Sequence, residues 1–410
     1  MTDTNPADPP AAPGRRILVS CGEASGDAYA GALVSELKAL DPAVRVSGFG
    51  GAGLARAGAR LVGDYRGLAV TGLSEAIAVL PRARRMLRTL TATARAERPD
   101  VFVAIDFPDF NLRLLPAMRR LGVPVVYYVS PQLWAWRPGR IATIARHVAR
   151  MLVIFPFEVD VYARAGVPVE FVGHPLLDLT PPPVDRRVFL AGLGHDPDRP
   201  VVALLPGSRP NELDRILPPI VGAARRVAAE VSGAQFVVAR APALADAAFA
   251  PLDALGADGV PVAVVSERTD DVLAACDVVV TASGTATVQA AVHGRPMVIV
   301  YRVSPFTFTI GRRLVRVSSY GMVNLVAGRS VVPELIQHAC TPDRIAAEVV
   351  SLLRDAERAA RMRQDLADVR SRLGEPGASR RAAEAVLAVT ERGVRRPEPG
   401  RKLERSSPAL

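Results

Sequence analysis

Residues 277–302 run from a β-branched stretch, Val278–Val280, through Ala282-Ser-Gly-Thr285 into a helix-forming segment, Ala286–His293, that Gly294 and Pro296 bring to an end. A second apolar run, Met297–Val300, follows. A continuous apolar run suits a parallel strand covered on both faces, and glycine before proline closes a helix. Such a strand, turn and helix leave unpaired N–H groups and the positive end of a helix dipole beyond the carboxyl end of the strand, so Ser283, Gly284 and Thr285 are expected to hold an anion. Val201–Leu205, Pro206-Gly-Ser208-Arg209 and a segment starting at Glu212 repeat the arrangement. Two such turns with an arginine point to a diphosphate, with Ser208 and Arg209 as further contacts.

The same unit opens the chain. Ile17–Cys21 reads as a strand, Gly22-Glu-Ala-Ser-Gly-Asp27 as a glycine turn and Tyr29–Leu40 as a helix, with further short strands expected at Val44–Val46, Val101–Ile105, Val125–Val129 and Met151–Ile154. The prolines of Leu179-Thr-Pro-Pro-Pro-Val184 interrupt the pattern. A second series then runs through Val201, Phe236–Ala239, Val262–Val265, Val278–Val280 and Met297–Val300. With 410 residues the chain can fill two cores. The expected fold is α/β: two Rossmann-like, doubly wound domains facing a cleft, at 15–185 and 186–345, preceded by a disordered leader at 1–14 and followed by C-terminal helices at 346–392 and a basic, disordered tail at 393–410. The C-terminal helices pack on their own first domain or are exchanged in a homodimer; the pattern admits both.

A net charge of +10 calls for a negatively charged partner. Aromatics make up only 5% of the chain and do not alternate with basic residues, which argues against nucleic acid. Cys21, Cys276 and Cys340 have neither disulfide nor metal-ligand spacing and suit a reducing cytoplasm. The leader lacks the basic and apolar regions of a signal peptide, and no apolar run approaches the roughly 18 residues a membrane span needs. Leu73, Ile77 and Leu80 share one helical face and lead into a proline-broken segment with Arg82 and Arg85, so they pack on their domain or rest on an anionic membrane surface.

Several motifs have competing readings. Gly48-Phe-Gly50-Gly-Ala-Gly53 spells a dinucleotide fingerprint but follows the second strand, so a backbone turn is the better account. Asp196-Pro-Asp198 has the spacing of a chelating pair but sits in a polar turn, and no metal and no cofactor are expected. Asp106, at the tip of Val101–Ile105, stands where α/β folds place chemistry and suits a general base, while Asp109 or Asn111 suits a helix cap. Ser130, Trp134 and Arg137 lie in an aromatic, arginine-rich loop fit for a sugar or acyl acceptor. His174 touches the phosphates or caps a turn.

Eight motifs in order carry a family resemblance: Gly22-Glu-Ala-Ser-Gly-Asp27, Ile105-Asp-Phe-Pro-Asp-Phe-Asn111, Val129-Ser-Pro-Gln-Leu-Trp-Ala-Trp-Arg137, Phe155-Pro-Phe-Glu158, Phe171-Val-Gly-His-Pro175, Leu204-Leu-Pro-Gly-Ser-Arg209, Ala282-Ser-Gly-Thr-Ala286, and Asn324-Leu-Val-Ala-Gly328 with Pro333-Glu-Leu335. Together they resemble the lipid-A-disaccharide synthases, inverting glycosyltransferases of Gram-negative outer-membrane biogenesis with the two-domain GT-B architecture. The resemblance implies transfer of 2,3-diacylglucosamine from its UDP derivative to the 6-hydroxyl of 2,3-diacylglucosamine 1-phosphate, giving the β-1′,6-linked disaccharide and UDP. It also implies lipid-linked glucosamine partners and a cytoplasmic enzyme peripheral on the inner face of the inner membrane. By likeness of position, Asp106 resembles the general base, Arg209 the diphosphate contact and Asn324 an essential cleft residue, while Glu23, Ser25 and Asp27 match the first glycine loop. The resemblance also implies a nucleotide contact at Gln289, where this chain departs from the family's usual glutamate, and a second departure is Met322-Val323 where Leu-Pro is usual.

Overall fold

A computed structural model describes residues 14–66, 73–132, 138–242, 244–304, 308 and 319–394. Within these the side chains of 73–79, 138 and 392–394 are left undescribed. Two wholly parallel sheets carry the fold. The first orders its strands β3-β2-β1-β4-β5-β6-β7, from β1 (Arg16–Cys21), β2 (Arg45–Gly50), β3 (Arg60–Asp64), β4 (Val101–Ile105), β5 (Val125–Tyr128), β6 (Arg150–Val153) and β7 (Val169–Phe171). The second orders them β10-β9-β8-β11-β12-β13, from β8 (Val201–Leu205), β9 (Gln235–Arg240), β10 (Val262–Ser266), β11 (Val278–Ala282), β12 (Met297–Tyr301) and β13 (Glu334–Ile336).

Every residue of β4, β8 and β11 is buried, which is why each reads as an unbroken apolar run without alternation. In each sheet the winding reverses once, between β1 and β4 and between β8 and β11. In open parallel sheets ligands bind outside the carboxyl ends of the strands at such a reversal. Four motifs therefore fall on the two switch points: Glu23 after β1, Asp106 after β4, Arg209 after β8 and Ser283–Thr285 after β11.

The chain crosses back at its end. Helix Pro342–Arg354 packs on the helix Pro210–Glu230 and on β11, whereas helix Ala378–Val394 packs on the helix Ala24–Leu40 and on β4 and β5 of the first sheet. The bond from Gly377 N–H to Asp178 Oδ1 at 2.5 Å and that from Ser379 N–H to Asp178 Oδ2 at 2.8 Å pin this return. Within one chain, the last helix thus lies on its own first domain, while the helix Pro342–Arg354 stays on the second.

Three local expectations need correction. The helix Leu73–Glu97 continues through Pro81, so that segment is not broken. The helix Pro108–Arg120 has Phe107 at its N-cap and no side-chain cap, so neither Asp109 nor Asn111 caps it. Strands β3, β7 and β13 were not expected; they are short and lie at or next to sheet edges, where partly exposed residues erase the apolar run. Asp196-Pro-Asp198 does form a solvated turn, with Asp198 N–H bonding Asp196 Oδ1 at 2.9 Å and the carboxylates paired to Arg199 and Arg187.

Candidate active site

Asp106 follows the last residue of β4 and adopts φ +43°, and Phe107 follows at φ +49°. Just past β5, Val129 has φ +62°. Left-handed backbone is costly for residues with a Cβ, most of all for a β-branched one, and it persists only where surrounding structure imposes it. The imposing groups are visible. Asp106 C=O accepts from Tyr127 Oη at 2.7 Å and from Asn111 Nδ2 at 2.8 Å, and Asp106 N–H reaches Tyr128 C=O at 3.1 Å. Asn111 is itself buried and fixed by Ser20 Oγ on its Oδ1 at 2.7 Å. The Phe107 ring lies against Gly22, where a Cβ would come within 2.0 Å of it, so the first glycine turn needs glycine at that position. Asp106 is thereby held beside the β1 turn.

Burial pushes the Asp106 carboxyl up from the ordinary 3.8 to about 7; the charge of Glu23 adds to the rise, while the Phe107 N–H and Arg209 oppose it. A carboxyl poised near neutrality in a cleft is suited to proton transfer.

Arg209 comes from the second sheet and closes the site. Its Nη2 donates to both oxygens of Glu23, at 2.6 and 2.7 Å, and its Nη1 to Glu212 Oε1 at 2.9 Å. Glu212, in the first turn of helix Pro210–Glu230, also accepts from Ser208 N–H at 3.3 Å. Gly207 makes this turn at φ +117°, a conformation that favours glycine. Nearby, Tyr29 of helix Ala24–Leu40 is buried close enough to Thr285 of the second sheet's turn for that side chain to oppose the rise in its pKa that burial causes. The two switch points therefore face each other and touch through Glu23–Arg209. Sequence reasoning overlooked Tyr29 and Glu212, because a tyrosine in a helix and a glutamate in a first turn have ordinary packing and dipole explanations.

At the second turn, the N–H groups of Gly284, Thr285 and Ala286 have no hydrogen-bond partner among the described residues. Ser283 differs from expectation, because its N–H is taken by Val300 C=O at 3.2 Å and its Oγ bonds Tyr320 C=O at 3.1 Å. The open amides are thus shifted one residue along, to Gly284–Ala286.

Several expected cleft residues turn out to build the scaffold. Asp27 is buried, and its carboxylate accepts from the N–H groups of Gly51 at 2.7 Å, Gly53 at 2.7 Å and Leu54 at 3.1 Å. It fills from within the anion site that the 48–53 glycine run resembles, which explains that motif without a dinucleotide. Ser130 is buried against Tyr162 Oη at 2.8 Å. His174 is buried beside Phe155 and Tyr29, its Nδ1 accepting from Leu176 N–H at 3.2 Å; burial lowers its pKa to about 3, so it is a neutral turn cap. Asn324 is 2% exposed and saturated: Nδ2 donates to Val332 C=O and Glu334 Oε1, and Oδ1 accepts from Val331 and Val332 N–H. Its amide has no bonding capacity left for a ligand. Instead it orients Glu334, which holds the Tyr320 and Gly321 amides behind Ser283.

Ser25 stays in the first helical turn, partly exposed and without a side-chain partner among the described residues. Gln289 meets Asp270. Trp134 and Arg137 lie outside the described residues, as do the side chains of Leu73 and Ile77. Leu80 is partly buried and Arg82 and Arg85 are exposed. The two arginines border an open cavity of about 630 Å³ with Gly63, Asp64, Pro81 and Met86.

This architecture is that of the GT-B glycosyltransferases and related epimerases. A UDP-GlcNAc 2-epimerase from Neisseria meningitidis, solved with UDP-GlcNAc, superposes with a TM-score of 0.63 at 12% identity, covering 91% of this chain and 100% of that one. The glycotransferase of kitacinnamycin gives 0.60 at 21% identity, covering 92% and 100%. Residues 17–389 match the model of the lipid-A-disaccharide synthetase family, and the chain belongs to that family. The Lipid-A-disaccharide synthase of Geobacter sulfurreducens is 45% identical over 379 residues, which are 92% of this chain and 98% of that protein.

Proposed function

We propose that this chain transfers 2,3-diacylglucosamine from its UDP derivative to the 6-hydroxyl of 2,3-diacylglucosamine 1-phosphate, with inversion at the anomeric carbon. Family membership supports the substrates, and the poised Asp106 between the two switch points is the observation that supports the chemistry. Asp106 takes the proton from the 6-hydroxyl, whose oxygen forms the new bond to the anomeric carbon as the bond to the UDP oxygen breaks on the opposite face. The departing diphosphate gains negative charge, which Arg209 and the open Gly284–Ala286 amides stabilise. Glu23 occupies on Arg209 the place that the diphosphate takes in this complex. Arginine and helix amides fill the role a divalent cation plays elsewhere, and the reading includes no metal or other cofactor. Mixing the two lipid substrates is expected to release UDP, measured by coupled assay, while neither alone does so. UDP release with the donor alone at the same rate would contradict the proposal.

The acceptor enters from the first domain, where Arg82 and Arg85 beside the open cavity suit its phosphate or an anionic headgroup. Among the described residues no helix is long and apolar enough to cross a membrane. We place the enzyme at the inner face of the inner membrane, resting on the segment from Leu73 to Arg85. Substituting Leu73, Ile77 and Leu80 together by serine is expected to reduce co-sedimentation with anionic vesicles by about tenfold. Unchanged sedimentation would show that these side chains only pack on their own domain.

A further inference from the structure

Past the end of β5 the chain is fixed at its root and open at its tip. Val129 turns at φ +62°, and Ser130 and Pro131 are buried. Tyr162 Oη pairs with Ser130 Oγ at 2.8 Å and lies 3.4 Å from Pro131 C=O. Gln132, the next residue, is exposed. Its Nε2 reaches across to the second domain and donates to Met322 Sδ at 3.4 Å. Met322 opens the helix Met322–Ala327, just after Tyr320, whose C=O accepts from Ser283 Oγ in the turn proposed to hold the diphosphate. On the other side stands Asp106. Tyr128 of β5 pairs with Ile105 of β4, so the segments carrying Gln132 and Asp106 leave neighbouring strands roughly 4.8 Å apart. A thioether sulfur is a weak acceptor, so the bond to Met322 uses little of what the Gln132 amide can offer. Gln132 Oε1 and the second Nε2 hydrogen have no partner among the described residues.

We infer that Gln132 is a specificity-determining residue that binds the 4-hydroxyl of the acceptor sugar. This rests on the proposed acceptor. A glucosamine acylated at positions 2 and 3 and phosphorylated at position 1 keeps two free hydroxyls, on carbons 6 and 4. Asp106 engages the first. The second is borne by the ring carbon next to the one that carries the reacting arm, and it is the neutral group left for an uncharged amide. A hydroxyl both donates and accepts, so it matches the two unused functions of Gln132 and displaces the sulfur, a poorer partner. The exchange turns the sugar ring about the reacting arm and holds the 6-hydroxyl toward Asp106. The contact with Met322 also joins the two domains, so the test has to separate sugar recognition from a strut.

Turnover of the acceptor and of its 4-deoxy analogue by the full-length enzyme makes that separation. The wild type is expected to favour the natural acceptor by about tenfold in kcat/KM, the scale of one neutral hydrogen bond. Gln132→Ala should raise KM for the natural acceptor by about tenfold and leave the 4-deoxy analogue nearly unaffected, so that the preference disappears. Its UDP affinity, read by calorimetry, should match that of the wild type. Met322→Leu removes the sulfur but keeps Gln132, so it should retain the preference. Equal loss of turnover with both acceptors in the two variants would show a strut between domains and overturn the inference. So would a preference unchanged in Gln132→Ala, or a wild type that does not distinguish the two acceptors. Release of no UDP by the wild type with either acceptor would instead defeat the proposed function itself.

Discussion

Asp106→Asn is expected to lower kcat by about 10³-fold, within the range for loss of a general base, while leaving UDP affinity close to that of the wild type. The substitution keeps the size of the side chain and the Asp106 backbone contacts to Tyr127 and Asn111, so the turn should persist. Stability should move the other way. The folded-state pKa is raised from 3.8 to about 7, so Asp106 favours the folded state fully only below its unfolded pKa, and that contribution is lost as pH rises through 7. Asparagine carries no charge to bury. At pH 8 the variant should therefore be more stable, by about 2 kcal/mol after allowing for the partial exposure of the site, and near pH 4 the gain should vanish. Urea unfolding at the two pH values reads this directly. A variant that is less stable at both would mean that the carboxylate holds the scaffold and does not serve chemistry.

Arg209→Ala carries the second large effect. Arg209 stands between two carboxylates and, in the proposed complex, exchanges Glu23 for the leaving diphosphate. Its loss is expected to cost about 10²–10³-fold in kcat/KM, the scale seen when one donor to a developing negative charge is removed. Calorimetry should show weaker UDP binding as well. The variant also has a signature that mere disruption lacks. Arg209 pulls the Asp106 pKa down, so without it the carboxyl should titrate at higher pH and the acidic limb of the activity profile should shift upward. Unchanged UDP titration together with an unshifted limb would remove Arg209 from the site.

Much of the fold was legible because fully buried parallel strands leave a plain mark. β4, β8 and β11 read correctly as unbroken apolar runs, whereas β3, β7 and β13, at or beside sheet edges, carry partly exposed residues and left no such mark. The positions of Glu23, Asp106, Arg209 and Thr285 at strand tips followed from the strand, turn and helix order alone. What sequence could not supply was direction. Asp27 and Asn324 are polar residues in motif positions, yet both turn inward and spend their bonding capacity on backbone amides and carbonyls. Ser283 sits in the expected turn but gives its N–H to β12, a pairing that depends on strand register. Asp270 lay in an unremarked acidic pair, and only the packing of two helices reveals that it faces Gln289.

The strained backbone falls on the same edge as the chemistry. Asp106, Phe107 and Val129 all have positive φ just beyond β4 and β5, and the groups that impose this on Asp106, Tyr127 and Asn111, are buried. The carboxylate's position is thus set by the core rather than by a mobile loop, which suits a base that must meet an incoming hydroxyl in fixed geometry.

The pH dependence of kcat/KM tests the role of Asp106 most directly. The wild-type enzyme should show log kcat/KM rising with a slope near one to a break at about pH 7 and level above it, with the break absent in Asp106→Asn. A wild-type profile flat from about pH 5 to 8, or the same break retained in the variant, would contradict the assignment of Asp106 as the base.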